Sequence, residues 1–174
     1  MRVVTRIVNL DAAQAHAAVS ALADVLIDCV AGGASVGFME PLGRDTAEDF
    51  WRAVANSVAA GGRYLLAAYE GDELVGTVQV VPAASKNQQH RGDISKMLVK
   101  RTARGKGVGA ALMLAAEETA REAGLTLLML DTTTGQPAER LYARLGWACF
   151  GQVPGHALMP DGAMSDTSFF YKVL

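Results

Sequence analysis

Apolar positions along the chain follow two different periods, and the places where the period changes predict an alternation of strands and helices. Runs rich in β-branched and aromatic residues predict strands, whereas apolar residues three and four positions apart predict helices. Strands are predicted at 3–9, 64–69, 74–81, 93–99, 127–130, 147–150 and 168–174. Helices are predicted at 11–30, from a cap at Asp45 or Thr46 to about residue 60, at 108–123 and at 137–145.

The order of these segments predicts a single α/β domain over residues 1–174, with a mixed central sheet of about six to seven strands and about four flanking helices. The segment 127–130 is apolar without alternation, which is typical of a strand covered on both faces in parallel sheet. Asp131 is expected at the carboxyl end of that strand. In the helix at 108–123, Glu117 and Arg121 are expected to pair on the exposed face.

The chain is slightly acidic overall and strongly basic in one segment. Its 174 residues are 51% hydrophobic and 20% charged, with a net charge of −2, which argues against nonspecific nucleic-acid binding. Residues 86–106 nevertheless contain seven Lys or Arg and one acidic residue, Asp93. This excess predicts a small-anion site, although a solvated basic face would have the same composition. Without a signal peptide or a run of about 18 apolar residues, we expect a cytoplasmic protein with no membrane partner.

Within this basic segment, residues 100–110 read Lys-Arg-Thr-Ala-Arg-Gly-Lys-Gly-Val-Gly-Ala, between a predicted strand and a predicted helix. Gly105, Gly107 and Gly109 allow the backbone to approach a ligand where a side chain would intrude. A loop that begins a helix also presents free N–H groups and the positive end of the helix dipole. This glycine loop, residues 104–110, is therefore predicted to bind a phosphorylated cofactor.

Two cofactor classes compete for these glycines, and the first is a dinucleotide. Gly105-x-Gly107-x-x-Ala110 fits the pattern G-x-G-x-x-G/A, and Asp131 follows at about the distance of a ribose ligand. Five residues, however, separate Val99 from Gly105, and the 64 residues after Ala110 are too few for the second half of a doubly wound sheet. A dinucleotide-dependent oxidoreductase stays an alternative.

The second class is coenzyme A. Arg104-x-x-Gly107-x-Gly109 resembles the acyl-CoA loop of the GNAT superfamily of N-acetyltransferases, whose pattern is Q/R-x-x-G-x-G/A. Upstream, Lys96-Met-Leu-Val99 is similar to the fourth strand of that family. These pieces keep the order and the distances of the family.

The resemblance continues downstream, where Ala138-Glu-Arg-Leu-Tyr142-x-x-Leu-Gly146-Trp147 is similar to the family's A-x-x-L-Y-x-x-L-G-F segment, with Trp in place of Phe. Four further segments, at 32–39, 130–132, 153–155 and 160–162, resemble those of tabtoxin-resistance acetyltransferases, which acetylate a small β-lactam amino acid. The resemblance thereby extends over most of the chain.

The resemblance implies a GNAT-like domain whose sheet is splayed between its fourth and fifth strands and whose co-substrate is acetyl-CoA. It implies direct acetyl transfer to the amine of a small molecule, with an amino-acid-like or β-lactam toxin as the finer expectation and toxin resistance as the role. No metal and no nucleic-acid partner are implied, and a homodimer and a non-catalytic acyl-CoA-binding module both stay open. The implied cofactor-binding residues are Met97, Leu98, Val99, Arg104, Gly105, Lys106, Gly107, Val108, Gly109 and Ala110.

Three residues are candidates for the chemistry of acetyl transfer to an amine. Asp93 and Asp131, each at a predicted strand end, are candidate bases if burial or a neighbouring carboxylate raises a pKa that is normally about 3.9. Turn and capping roles would explain both aspartates as well. In the family, the tyrosine at the position of Tyr142 protonates the departing thiolate, and a core position is the alternative. The amine is expected to enter beside residues 36–39 and the loop at 83–92. Phe38 and Met39 are the candidate substrate-binding residues.

Overall fold

In a computed structural model that describes residues 5–174, seven strands and five α-helices follow one another. The strands are β1 (Thr5–Asn9), β2 (Tyr64–Glu70), β3 (Glu73–Pro82), β4 (Arg91–Val99), β5 (Leu127–Thr133), β6 (Ala148–Leu158) and β7 (Met164–Val173). The helices are α1 (Ala12–Ala17), α2 (Val19–Ala31), α3 (Arg44–Ala59), α4 (Val108–Glu122) and α5 (Pro137–Arg144). Positions 3 and 4 of the first predicted strand lie outside the described residues.

The strands form one mixed sheet in the order β1-β2-β3-β4-β5-β7-β6. Among its six pairings within residues 5–174, β4–β5 is the parallel one and the others are antiparallel. Helix α4 makes the crossover between the two parallel strands, as such a pair requires. The predicted mixed sheet is confirmed, whereas the mostly parallel, doubly wound sheet of a dinucleotide-binding domain is not present in this part of the chain.

Helices cover both faces of the sheet, because alternate residues of its strands point to opposite sides. Leu65 of β2 packs into a core with α1, α2 and α3, in which Trp51 is fully buried. Its neighbour Leu66 packs into a second core with α4 and α5, in which Leu112 is fully buried. Burying each such large side chain stabilises the fold by about 1.5–3 kcal/mol. The sheet is thus held rigidly between two helical layers.

The two parallel strands separate after three residue pairs. They pair from Arg91 opposite Leu127 to Asp93 opposite Met129, and both then continue without pairing to each other. A bulge accompanies the separation, because Thr77 of β3 faces Leu98 whereas Gln79 faces Ser95 of β4. The predicted splay is confirmed, and it leaves a gap between the carboxyl-terminal halves of β4 and β5.

The helical predictions for the first half of the chain were wrong in two details. The segment 11–30 is not one helix, since Asp11 caps α1 and Ala18 separates it from α2. His16 of α1 contacts Asn56 of α3 through a 2.9 Å bond from Nε2 to Oδ1, so α1 is tied to α3. The next helix begins at Arg44 rather than after a cap at Asp45 or Thr46. The helix is thus two or three residues longer at this end than predicted, and Arg44 forms ion pairs there with Asp24 and Glu48.

The sheet extends further than predicted at its carboxyl-terminal end. β5 continues to Thr133, because it pairs with β7 up to Thr133 opposite Thr167, so Asp131 lies inside the strand rather than at its end. β6 and β7 are also longer than predicted. β6 is a mostly exposed edge strand with an irregularity between Val153 and Ala157, and its residues therefore lack a clear alternation of buried and exposed positions.

The prediction that Glu117 lies on the exposed face of α4 was wrong. Its side chain is 2% exposed and accepts a 3.0 Å hydrogen bond from Nε1 of Trp147. Lys172 Nζ donates to Glu117 Oε2 at 2.8 Å and to the carbonyl oxygen of Leu145 at 2.6 Å. Arg121 is 3.8 Å from the same carboxylate on its outer side. This Glu117 cluster (Glu117, Trp147 and Lys172) joins α4, the end of α5 and β7.

Candidate active site

The glycine loop ends on an α4 N-terminus that no side chain within residues 5–174 caps. Gly107 is the N-cap, with φ +88°, and the first helical hydrogen bond runs from Ala111 N–H to its carbonyl at 3.0 Å. The three preceding N–H groups, of Val108, Gly109 and Ala110, therefore lack helical partners. At Gly107, an added Cβ would meet no atom of the described chain within 4 Å. The backbone thus offers N–H donors beside open space.

Three of the four basic side chains around this loop have acidic partners. Lys100 pairs with Glu73 at 2.8 Å, Arg101 with Asp28 at 2.9 Å and Lys106 with Glu70 at 3.3 Å. The loop is therefore less positive than its composition predicts. The Arg104 side chain instead donates a hydrogen bond to the end of β4.

Arg104 connects the loop to the end of β4. Its Nε donates to the carbonyl oxygen of Val99 at 3.0 Å, and φ +74° at Gly105 turns the chain directly after it. Lys100 N–H donates to Val75 of β3 at 2.8 Å. Because successive amides of a strand point to opposite sides, the N–H of Val99 points away from β3, toward the gap. Leu98 is 3% exposed and packs in the core.

The start of α4 packs closely against both β4 and α5. An added Cβ on Gly109 would lie 3.2 Å from Leu141 Cδ2 and 3.7 Å from Met97 Sδ. Glycine at this position therefore brings the uncapped helix end next to the gap between the strands. Met97 is partly buried and lies between the loop and the gap.

A cavity of about 110 Å³ occupies the gap between β4 and β5. It brings together two of the three candidate catalytic residues, Asp131 and Tyr142. Tyr142 is 5% exposed, and its burial, followed by the negative charge of Asp131, raises the pKa of its phenol to about 12. The phenol is therefore protonated at neutral pH. The lining residues are Ser35, Val36, Ile94, Lys96, Met97, Leu130, Asp131, Thr132, Thr133, Tyr142, Ala157 and Thr167.

The third candidate, Asp93, does not line this cavity. Both of its carboxylate oxygens are 3.1 Å from Nη1 of Arg91, and its side chain is 49% exposed. It is the last β4 residue that pairs with β5, so it lies where the gap begins. The two aspartates therefore do not line the same cavity.

The loop after α2 forms one wall of the cavity, with the first residue of the predicted entry segment at 36–39. Ser35 and Val36 line the cavity, and Ser35 Oγ donates to the Leu158 carbonyl oxygen at 2.7 Å. Phe38 packs edge-on against Phe50 with ring centroids 5.3 Å apart, and Met39 is 47% exposed. Phe38 and Met39 thus follow the wall residues in the chain and do not line the cavity themselves.

Lys96 lines the cavity, and the sequence analysis assigned it no separate role. Its backbone is left-handed, with φ +51°, at the bulge of β4. Its Nζ lies 5.6 Å from the centroid of the Phe50 ring. Burial lowers the pKa of the ammonium, opposed by the charge of Asp131 and reinforced by that of Arg63. The one feature of the sequence that could have pointed to Lys96 is its position as a charged residue within a predicted, largely apolar strand.

The model of the acetyltransferase (GNAT) family matches residues 26–147, which include the gap, the glycine loop and α5. This chain belongs to the GNAT family. It is 29% identical over 129 residues to an uncharacterized N-acetyltransferase from the hisH-hisA intergenic region of Azospirillum brasilense. That match covers 73% of this chain and 75% of the relative.

Solved structures of other acetyltransferases have the same fold. The chain is similar to the ribosomal-protein-alanine N-acetyltransferase of Brucella melitensis, with a TM-score of 0.81 and 22% identity over 97% of this chain and 99% of that one. It is also similar to the structure of yncA of Salmonella typhimurium with its cofactor acetyl-CoA. That match has a TM-score of 0.78 and 19% identity, and it covers 98% of this chain and 94% of that one. At these identities the likeness concerns the fold.

The residues at the gap fit acetyl-CoA, which the GNAT family uses. Free N–H groups at the α4 N-terminus are suited to a pyrophosphate, and open space lies where a Cβ of Gly105 or Gly107 would stand. Among residues 5–174, no group of three His, Cys, Asp or Glu side chains is arranged to hold a metal ion. None of the helices in that range is both long enough and apolar enough to span a bilayer.

Proposed function

We propose that this chain transfers the acetyl group of acetyl-CoA directly to the amine of a small molecule. The observation that carries the proposal is the cavity between the splayed β4 and β5, which joins Asp131 and Tyr142 beside the uncapped α4 N-terminus. The N–H groups that could bind the cofactor and the two side chains that could transfer protons thus lie at the same gap.

The backbone of the glycine loop binds the pyrophosphate in this proposal, and β4 binds the pantetheine arm. Bound acetyl-CoA supplies an acetyl group that is activated as a thioester. The N–H of Val99, which points toward the gap, polarises the acetyl carbonyl, an electrostatic contribution that is commonly the largest in catalysis. Met97 forms the side of the arm's channel, and Leu98, which packs in the core, holds that part of β4 in place. Arg104 keeps the end of β4 and the loop in register, and Lys106 adds positive charge beside the phosphates.

Asp131 is the proposed base, because it lines the cavity in which the amine would lie. Its carboxylate accepts a proton from the acceptor nitrogen. Asp93 is the second candidate, and it would need a water molecule or a movement of Arg91 to reach the amine. Asp131 is favoured because no such rearrangement is needed.

Tyr142 Oη–H is the proposed donor to the leaving sulfur. Since its pKa is about 12 and that of a thiol is about 8.5, complete proton transfer to a thiolate is unfavourable. The phenol therefore acts mainly as a hydrogen-bond donor that stabilises the thiolate. Its contribution to the rate is correspondingly modest.

The acceptor is a small molecule in this proposal, and an amino-acid-like compound, including a β-lactam toxin, is the finer expectation. The cavity volume of about 110 Å³ favours a compact acceptor. Ser35, on its wall, is fixed to β6 by the hydrogen bond to the Leu158 carbonyl oxygen. Phe38 and Met39 are proposed to contact the acceptor where it enters, because they follow the lining residues Ser35 and Val36 in the chain.

Thermal unfolding and thiol release together test the proposal. Acetyl-CoA is expected to raise the melting temperature, whereas NAD(H) and NADP(H) are not. Free thiol should then appear when amines are added to the protein with acetyl-CoA. Stabilisation without thiol release on a broad amine panel would favour an acyl-CoA-binding module, and stabilisation by a dinucleotide alone would overturn the proposal.

A further inference from the structure

Lys96, unlike Lys100, Arg101 and Lys106, has no acidic partner at ion-pair distance among residues 5–174. Lys100, Arg101 and Lys106 each form an ion pair with a carboxylate. The Lys96 ammonium forms none within residues 5–174 and lies instead against the Phe50 ring and the backbone of Gly37. The charge of Asp131 acts on this ammonium across the cavity, but no described carboxylate lies within 4.0 Å of it. A half-buried charge without a close counter-ion is unfavourable, so the site gains from an anion that a ligand brings.

The backbone at Lys96 directs this charge toward the cavity. A bulge adds one residue to β4, and bulges commonly redirect a side chain next to an active site. Lys96 itself has φ +51°, a conformation that is strained for any residue with a Cβ and that is found preferentially at functional sites. Ile94, Lys96 and Met97 all line the same cavity as a result.

The cavity carries one charge of each sign. Of its lining residues, Lys96 and Asp131 are the charged ones, and Thr132, Thr133 and Thr167 contribute hydroxyl groups. A compact acceptor whose amine approaches Asp131 could place a negative group at Lys96. The volume of about 110 Å³ suits a molecule in which amine and anion are only a few bonds apart.

We propose that Lys96 determines acceptor specificity by binding the carboxylate of an amine that also carries an acid group, as a free amino acid does. This inference rests on the proposed function, since it takes the cavity as the acceptor site. Lys96 is here a binding residue, and Asp131 receives the amine of the same molecule. Neutral amines of similar size would lack the Lys96 contact.

Binding to the protein–CoA complex tests this inference independently of turnover. The probes are a panel of free L-amino acids and the carboxamides of the same amino acids, titrated by calorimetry. At least one acid is expected to bind about tenfold to a hundredfold more tightly than its amide, as for a hydrogen-bonded charge pair. K96M should remove that preference while leaving amide binding unchanged, K96R should retain most of it, and K86M, at an exposed lysine, is the matched control.

The outcomes separate this inference from the proposed function. If acids bind preferentially but release no thiol from acetyl-CoA, the proposed function is wrong and the Lys96 assignment stands. If thiol release proceeds equally with acids and amides, or K96M weakens both alike, the Lys96 assignment is wrong. If no acid binds more tightly than its amide, the Lys96 assignment is also wrong. This last comparison uses the wild-type protein, so it does not depend on whether a variant folds.

Discussion

The two walls of the gap are built in different ways. On the α4 side, the contacts offered to a ligand are backbone N–H groups, exposed because Gly105 and Gly107 have positive φ angles. On the opposite side they are side chains, Lys96, Asp131 and Tyr142, which reach the cavity from β4, β5 and α5. A backbone wall depends on a few glycines in one short segment, whereas a side-chain wall depends on how three elements pack.

This difference explains how proteins with different acceptors can share one cofactor. A wall of amides binds phosphate whatever side chains surround it. A wall of side chains changes its ligand with every substitution. We therefore expect changes on the side-chain wall to alter turnover and acceptor preference, and changes on the backbone wall to alter acetyl-CoA affinity.

The largest effect is expected from Asp131→Asn on the side-chain wall. If Asp131 is the base, its loss should lower kcat/KM for the amine by about a hundredfold to ten-thousandfold while acetyl-CoA binding is preserved. Steady-state kinetics and calorimetric titration of acetyl-CoA measure the two quantities. Asp93→Asn is the matched comparison and should have the smaller effect, since Asp93 does not line the cavity. The reverse order of effects would assign the base to Asp93.

The next largest effect is expected at the Glu117 cluster, which holds the two walls together. Glu117→Ala leaves the partly buried Lys172 without its carboxylate partner and Trp147 Nε1 without its acceptor, and it should reduce the free energy of unfolding by about 3–5 kcal/mol. Urea denaturation measures this loss. Glu118→Ala is the control, because Glu118 is 65% exposed and pairs with the exposed Arg121, and it should cost less than about 1 kcal/mol. Equal losses for both variants would mean that the Glu117 cluster does not stabilise the fold.

A smaller effect, visible only in alkali, is expected from Tyr142. The folded state raises the pKa of this phenol from about 10 to about 12, so its contribution to stability is complete below pH 10 and is lost as the pH rises through 12. Over that window the loss should approach about 1.4 kcal/mol per pH unit. The difference in unfolding free energy between the wild type and Tyr142→Phe, measured by urea denaturation from pH 9 to 11.5, should therefore change with pH. A constant difference would contradict the burial of the phenol.

The backbone wall could be predicted from the sequence, and the side-chain wall only in part. Gly105, Gly107 and the helix after them are contiguous, and glycine permits the positive φ angles that this loop uses at residues 105 and 107. Lys96 could not be predicted to face the cavity, because its direction depends on a bulge that exists only in register with β3. Asp93 and Asp131 are both candidate bases by sequence, yet only Asp131 lines the cavity, because Asp93 pairs with Arg91 where the gap begins.

The same contrast explains the errors in the fold. Strand β5 has a continuous apolar run and α4 has an amphipathic pattern. Both elements were predicted within a few residues of their bounds. Glu117 follows the helical pattern of an exposed residue, but Trp147 and Lys172 come from distant parts of the chain to pair with it. The edge strand β6 is exposed along most of its length, so no burial pattern marked its extent.

The claim that the glycine loop is the cradle of the coenzyme A pyrophosphate is tested most directly by two glycine variants. Gly107 and Gly124 lie at the two ends of α4, both with positive φ and with no atom within 4 Å of an added Cβ, so Ala strains both alike. Titration calorimetry with acetyl-CoA should show Gly107→Ala binding at least about tenfold more weakly, because its Cβ occupies the cradle, whereas Gly124→Ala binds as the wild type does. Equal affinities for the two variants would contradict the assignment.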